Sequence, residues 1–390
     1  MNKATSRASV RPVEWVVLVF LAYCAVRLAF ATSFELAVST VPRLEMILTF
    51  IFVMDLKLYV RYRRTPWPVG AESQARRHHV FLVFVLVALL VMAGVSGAWQ
   101  GLTAGEGGVV MSALLVAQRV IYTLLLFLAP IFLVWVSTGS HLKEHGHLDP
   151  RDMLRRGLPG AISSLRDWAP LLLLSFAYHF MSPVIGRGLF GDQDATLDHI
   201  DHAIFFGHSP VLACERIVSE PLSEWLAACY IFYVPLFPLV LGTLYMRDSP
   251  GAFRLVAFAT CLALAIGYVL YTLVPAVGPM FTTKFDVNLD VYYMGWIKAQ
   301  VVDKTRIPRD CFPSLHTCMS LILWWGAWHH ARRMGWVLAP IVFSIPLACL
   351  YLRYHYFIDI LAGVALFALV TTITTRSTRL RRAILGDVAA

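Results

Sequence analysis

The sequence predicts an all-α fold: a polytopic transmembrane helix bundle of about ten spans, its six-span C-terminal core carrying the chemistry. Three observations lead there. Hydrophobic residues make up 58% of the 390-residue chain and charged residues 15%, with a mean hydropathy of +0.66. A soluble domain sits near one half and one quarter. Apolar runs of spanning length recur along the whole chain. The basic residues gather in alternate loops, which is the orientation signal of membrane proteins and not a nucleic-acid footprint, despite a net charge of +9.

Residues 1–12 are polar and basic, with Lys3, Arg7 and Arg11. The run 13–32 is apolar but carries Arg27; it is long for a signal peptide and is expected to be a retained span. Further spans are expected at 44–60, 80–98 and 109–136, around a dense basic loop at 61–79 and a glycine-rich turn at 101–108. Residues 139–165 are polar and basic, and a domain boundary is expected there. This divides the chain into a four-span accessory region (1–140), a catalytic core (141–376) and a basic tail (377–390). The core opens with a span at 168–184. A long acidic loop at 186–220 follows, in which Ile204-Phe205-Phe206 and Pro210-Val211-Leu212 are expected to lie flat in the interface. Spans at 222–245 and 255–274 lead to a second long loop at 280–312. Three closely spaced spans finish the core: 313–328, 336–352 and 355–374.

Placing the N-terminus in the cytoplasm puts the basic loops at 61–77, 143–166, 247–254 and 332–333, and the basic tail, all inside. The acidic loop then lies outside, and so do His316 and His355. The loop 280–312 also lies outside, yet carries Lys284, Lys298, Lys304, Arg306 and Arg309. Handling of phosphate would give those cations a purpose.

Two stretches place polar groups at the ends of apolar runs: Cys311-Phe312-Pro313-Ser314-Leu315-His316 and Arg353-Tyr354-His355-Tyr356-Phe357-Ile358-Asp359. His355 and Asp359 are four apart, so on a helix they share a face and the carboxylate can accept from the imidazole. An imidazole held this way has a fixed tautomer, and its other nitrogen can act as nucleophile or base. His316 opens the preceding apolar segment at the same edge. Two histidines can divide phosphoryl transfer, one attacking phosphorus and the other protonating the leaving oxygen, an acid contribution of roughly 10²–10⁴ in rate. The phosphate charge calls for cations and N–H donors. Arg353, Arg306, Arg309 and Ser314 are the expected ligands, with Pro313 opening a helix whose first-turn N–H groups face the anion.

Pro313-Ser314-Leu315-His316 resembles the second motif of the type 2 phosphatidic acid phosphatase superfamily. His355-Tyr356-Phe357-Ile358-Asp359 resembles the third. The wording Phe-Pro-Ser-Leu-His and His-Tyr-x-x-Asp is most similar to the inositol phosphorylceramide synthase and sphingomyelin synthase branch. The resemblance covers 166–374. It implies a membrane enzyme that takes a lipid phosphate ester and passes the phosphoryl or phospho-head group to an alcohol such as inositol, or to water. It also implies His355 as nucleophile, Asp359 as its orienter and His316 as the acid, with no cofactor and no metal. The first phosphatase motif has no counterpart, since Lys304-Thr305-Arg306-Ile307-Pro308 does not fit it. Cys349 stands where the third motif has an arginine, and Leu315 stands where the second has a glycine.

Other readings stay open. A non-catalytic transporter or scaffold would place ionisable residues in mid-span, where Arg27, Asp55 and Arg119 lie. His316, His355 and Asp359 also form a two-histidine, one-carboxylate set of a metal-binding type. Asp198, His199, Asp201 and His202 read better as a solvated helix end. The seven cysteines show no paired metal spacing. Cys214 and Cys311 both fall in loops assigned outside, and a disulfide between them is left open, as is the oligomeric state.

Overall fold

In a computed structural model of the chain, the described residues are 10–29, 167–175, 177–178, 181–186, 189–246, 250–289 and 307–385. The spans expected at 44–60, 80–98 and 109–136 lie outside them, as do Arg306, Asp55 and Arg119. Every regular element among the described residues is helical. In chain order they are α1 (Pro12–Ala29), α2 (Met181–Ile185), α3 (Asp194–Ile204), α4 (Pro210–Ala213), α5 (Glu220–Met246), α6 (Pro250–Leu273) and α7 (Pro279–Thr282). Then come α8 (Leu315–His330), α9 (Arg332–Tyr351), α10 (Phe357–Arg376) and α11 (Thr378–Leu385). A single turn of 3₁₀ helix, Cys214–Ile217, follows α4.

Four of these, α5, α6, α9 and α10, are long and apolar enough to cross a membrane. Their outer faces carry Val234, Leu239, Trp336, Val337, Phe343, Leu361 and Leu369 exposed, as lipid-facing residues would be. α8 is shorter, 16 residues, or about 24 Å at 1.5 Å per residue. It is buried on nearly all sides, with Leu315, Met319, Ile322, Leu323 and Ala327 each below a tenth exposed. It packs against α5, α6, α9 and α10 and forms the axis of the bundle.

α8 and α9 are joined through Ala331 alone, so they form a tight antiparallel hairpin. The chain then turns at residues 352–356 into α10, which runs alongside α8. The contact is close because Gly363 has no side chain: a Cβ there would lie 2.5 Å from the Ser314 carbonyl oxygen and 3.1 Å from Thr317 Cβ. Ser314 N–H donates to the Asp359 carbonyl across the same gap, 3.0 Å. The starts of α8 and α10, and so the two motifs, meet at one end of the bundle.

The boundary expected near residue 140 lies outside the described residues. One compact unit joins residues 1–34 to 177–390, and 35–176 form the other. α1 belongs with the C-terminal helices because its side chains fit them. Phe20 lies 5.5 Å from the Tyr268 ring, and the Tyr23 hydroxyl shares a hydrogen bond with Thr272. Val13 and Val16 pack with Leu255 and Phe258 of α6 and with Leu380, Ile384 and Leu385 of α11. Arg27 donates to the carbonyls of Val184 and Ile185 at 3.2–3.4 Å. Its charge therefore caps the C-terminal end of α2 rather than facing a pathway. In the second unit, residues 167–175 are helical.

Candidate active site

The site is built on the two helix starts. Ser314 is the N-cap of α8, its Oγ accepting from Thr317 N–H at 3.3 Å. Its side chain is wholly buried. That corrects one expectation: Ser314 serves the helix, and it takes up a first-turn N–H group that had been assigned to phosphate. His316, two residues past the cap in the first turn, is wedged against two tyrosines of α5. Tyr230 stacks on it at 4.7 Å between ring centroids and Tyr233 lies at 4.4 Å. Tyr230 stacks in turn on Tyr354 at 4.6 Å.

His355 is not on a helix, which corrects the shared-face argument. It lies in the turn before α10, and Asp359 reaches back to it from the helix's first turn. Asp359 Oδ2 accepts from Tyr356 N–H at 2.8 Å, closing the helix start, and lies 3.4 Å from His355 Nδ1. Both side chains are buried. With Nδ1 facing the carboxylate, Nε2 is left on the far edge of the ring. The rings of His316 and His355 stand 5.8 Å apart, edge to face at 62°.

Arg353 and Arg309, the other expected phosphate ligands among the described residues, are engaged elsewhere. Arg353 occupies a left-handed position, φ 69°. Its Nη2 donates to Glu215 at 3.0 Å and to the Val287 carbonyl at 2.6 Å, and its guanidinium covers the Phe285 ring at 4.0 Å. It thereby braces the turn that presents His355. Arg309, also at positive φ, pairs with Asp192 at the surface. To meet a phosphate, each would have to exchange its partner.

The acidic loop does more than remain solvated. Asp201 on α3, 1% exposed, accepts from Phe357 N–H at 2.6 Å and Ile358 N–H at 2.9 Å. It caps α10 from outside the chain segment, on the positive end of the helix. Burial raises its pKa above the ordinary aspartate value, against the two amide donors, which favour the anion. Asp194, two turns earlier on the same face of α3, accepts from Val277 and Gly278 N–H at 3.0 and 2.8 Å and from the Tyr356 hydroxyl at 3.1 Å. Gly278 must be glycine: its φ is 95°, and a Cβ would lie 2.6 Å from the Tyr354 carbonyl oxygen. Sequence reading took Asp201 for part of a solvated helix end and did not single out Asp194; the one signal was their spacing of seven on a helical stretch. Asp201→Ala is expected to cost roughly 1–2 kcal/mol, as loss of a helix cap does, and to lower turnover with it. Thermal unfolding and activity of Asp201→Ala beside Asp198→Ala check this, since half-exposed Asp198 should change neither.

Two thiols complete the surroundings. Cys311 Sγ lies 2.9 Å from Asp359 Oδ2, 3.2 Å from the Tyr354 carbonyl and 3.6 Å from His355 Nδ1. Cys349 is contacted by Ser314 Oγ at 3.8 Å. Neither Cys214 nor Cys311 is in a disulfide. The metal-capable sets among the described residues are His316, Cys349 and His355, and Cys311, His355 and Asp359. The set expected from sequence, both histidines with Asp359, is divided between them.

Comparison with curated proteins and with solved structures finds no match. Residues 195–373, which include His316, His355, Asp359, Cys311 and Asp201, match the family model of the PAP2 superfamily.

Proposed function

We propose that this protein is a membrane lipid phosphotransferase or phosphatase that works through a phosphohistidine. His355 Nε2 attacks the phosphorus of a lipid phosphate ester, and the bond to the leaving oxygen breaks. His316 gives that oxygen its proton. Asp359 holds Nδ1–H and stabilises the positive charge on the substituted ring. An alcohol such as inositol, or water, then attacks the phosphohistidine, and His316 takes the proton back. The observation that carries this reading is the pair of imidazoles 5.8 Å apart, one of them backed by a buried carboxylate. The PAP2 superfamily match supports the same class of chemistry.

Of the two described cations, Arg309 is the one assigned to phosphate. Its pair with Asp192 is exposed, 26% and 46%, so exchanging that partner costs about 0–1 kcal/mol. The Arg353–Glu215 pair is more buried, 13% and 16%, and stays in place. The site is assigned to the extracytoplasmic face, because Arg332, Arg333 and the α11 arginines lie at the opposite ends of the same helices.

The test is a lipid-phosphate screen on purified protein, with and without inositol. Release of inorganic phosphate marks water as the acceptor; a new inositol phosphate or phospholipid marks transfer. Absence of both across lipid phosphate esters would overturn the proposal and return the chain to the transporter or scaffold reading.

A further inference from the structure

We infer that Cys311, His355 and Asp359 form a binding site for a thiophilic divalent cation such as Zn²⁺, whose occupancy switches the nucleophile off. The three ligand atoms, Sγ, Nδ1 and Oδ2, make a triangle with edges of 2.9, 3.4 and 3.6 Å. A tetrahedral zinc with bonds of about 2.3 Å to sulfur and 2.0 Å to nitrogen and oxygen spaces its ligands by about 3.3–3.6 Å. Only the sulfur–oxygen edge has to open, by about half an ångström on that geometry.

Charge and donor chemistry agree with the spacing. A thiolate, a carboxylate and a neutral imidazole carry two negative charges, which a divalent ion cancels inside a buried pocket. Sulfur and imidazole together select zinc, cadmium or cobalt over magnesium and calcium. A second observation points the same way: Asp359 Oδ1 is buried with no hydrogen-bond partner in the structure, so the carboxylate holds capacity its neighbours do not use. On binding, Cys311 loses its proton to water, and the metal replaces the S–H···O contact.

The consequence follows from the imidazole itself. Attack by Nε2 requires the tautomer with hydrogen on Nδ1. A cation on Nδ1 takes that lone pair and moves the hydrogen to Nε2, leaving no nucleophilic nitrogen. Inhibition would therefore lower kcat and not be relieved by more substrate. This consequence rests on the phosphohistidine reading; the binding does not.

The experiment uses the purified full chain in a non-thiol reductant, with Co²⁺ as a spectroscopic probe and Zn²⁺ as competitor. Wild type and Cys349→Ser should show thiolate-to-cobalt charge transfer and tetrahedral d–d bands, bleached by Zn²⁺. Cys311→Ser should lose the bands and require at least about tenfold more Zn²⁺ for half-inhibition. Asp359→Asn, which keeps the side-chain volume, should weaken the bands in parallel. Absence of bands in wild type, bands that persist in Cys311→Ser, or Zn²⁺ inhibition competitive with substrate would each overturn the inference. Bands without any lipid phosphate turnover would leave the site standing and remove the proposed function.

Discussion

His355→Ala is expected to abolish lipid-phosphate turnover, and no choice of substrate should restore it. In the proposed mechanism the imidazole is the group that bonds to phosphorus, so its loss removes the covalent route rather than weakening it. Losses of nucleophilic residues of this kind run to about 10⁴–10⁶ in kcat. The protein should still fold: His355 lies in a turn, and the cap on α10 comes from Asp359 and Asp201, not from the ring. The check is single-turnover work with a ³²P-labelled lipid phosphate. Wild type should trap an acid-labile, base-stable label, and His355→Ala should trap none at equal folded content. Native-rate turnover by the variant would refute the assignment of the nucleophile.

His316→Ala is expected to behave differently, and the difference is diagnostic. A general acid is worth roughly 10²–10⁴ when the leaving oxygen is a poor one, such as a lipid alkoxide. It is worth little when the leaving group departs readily as an anion. So in His316→Ala the first step, formation of the phosphoenzyme, should slow greatly on a lipid phosphate and much less on an aryl phosphate with an electron-withdrawing ring, as read in single-turnover bursts. Because the second half of the reaction needs the same residue as base, the variant should also accumulate phosphoenzyme on the aryl substrate. The pair Tyr230 and Tyr233 holds the ring at 4.4–4.7 Å, so a wild-type imidazole has little freedom to find another proton route. Equal slowing of the first step on both substrates would mean that His316 shapes the pocket and does not transfer a proton.

Parts of the site could be read from the chain alone because they are local. Pro313 to His316 and His355 to Asp359 each occupy one turn, and only the short α8–α9 hairpin separates them. Apolar length sufficed to place α5, α6, α8, α9 and α10 within a few residues. What could not be read involves partners far apart in sequence. Asp201 finds the amides of Phe357 and Ile358 more than 150 positions away, and a row of aspartates in a polar loop looks the same whether it is solvated or capping. Arg353 looked like a phosphate ligand because a cation beside a catalytic histidine has two uses, and sequence does not record that Glu215 takes the charge. The i,i+4 argument for His355 and Asp359 reached the right neighbours by the wrong geometry: the chain bends before the helix, and the acid reaches back across the bend. Cysteines with no motif spacing concealed Cys311, whose neighbours come from a different segment.

The seating of α1 has a consequence for how the protein is made. Val13 and Val16 complete a small apolar cluster with Leu380, Ile384 and Leu385, contributed by the last described helix. A ribosome delivers those two ends some 360 residues apart, at about 5–20 residues per second. α1 therefore waits tens of seconds for these partners to be built. During that interval its apolar face has no intramolecular cover from this cluster, which closes only once α11 has been made.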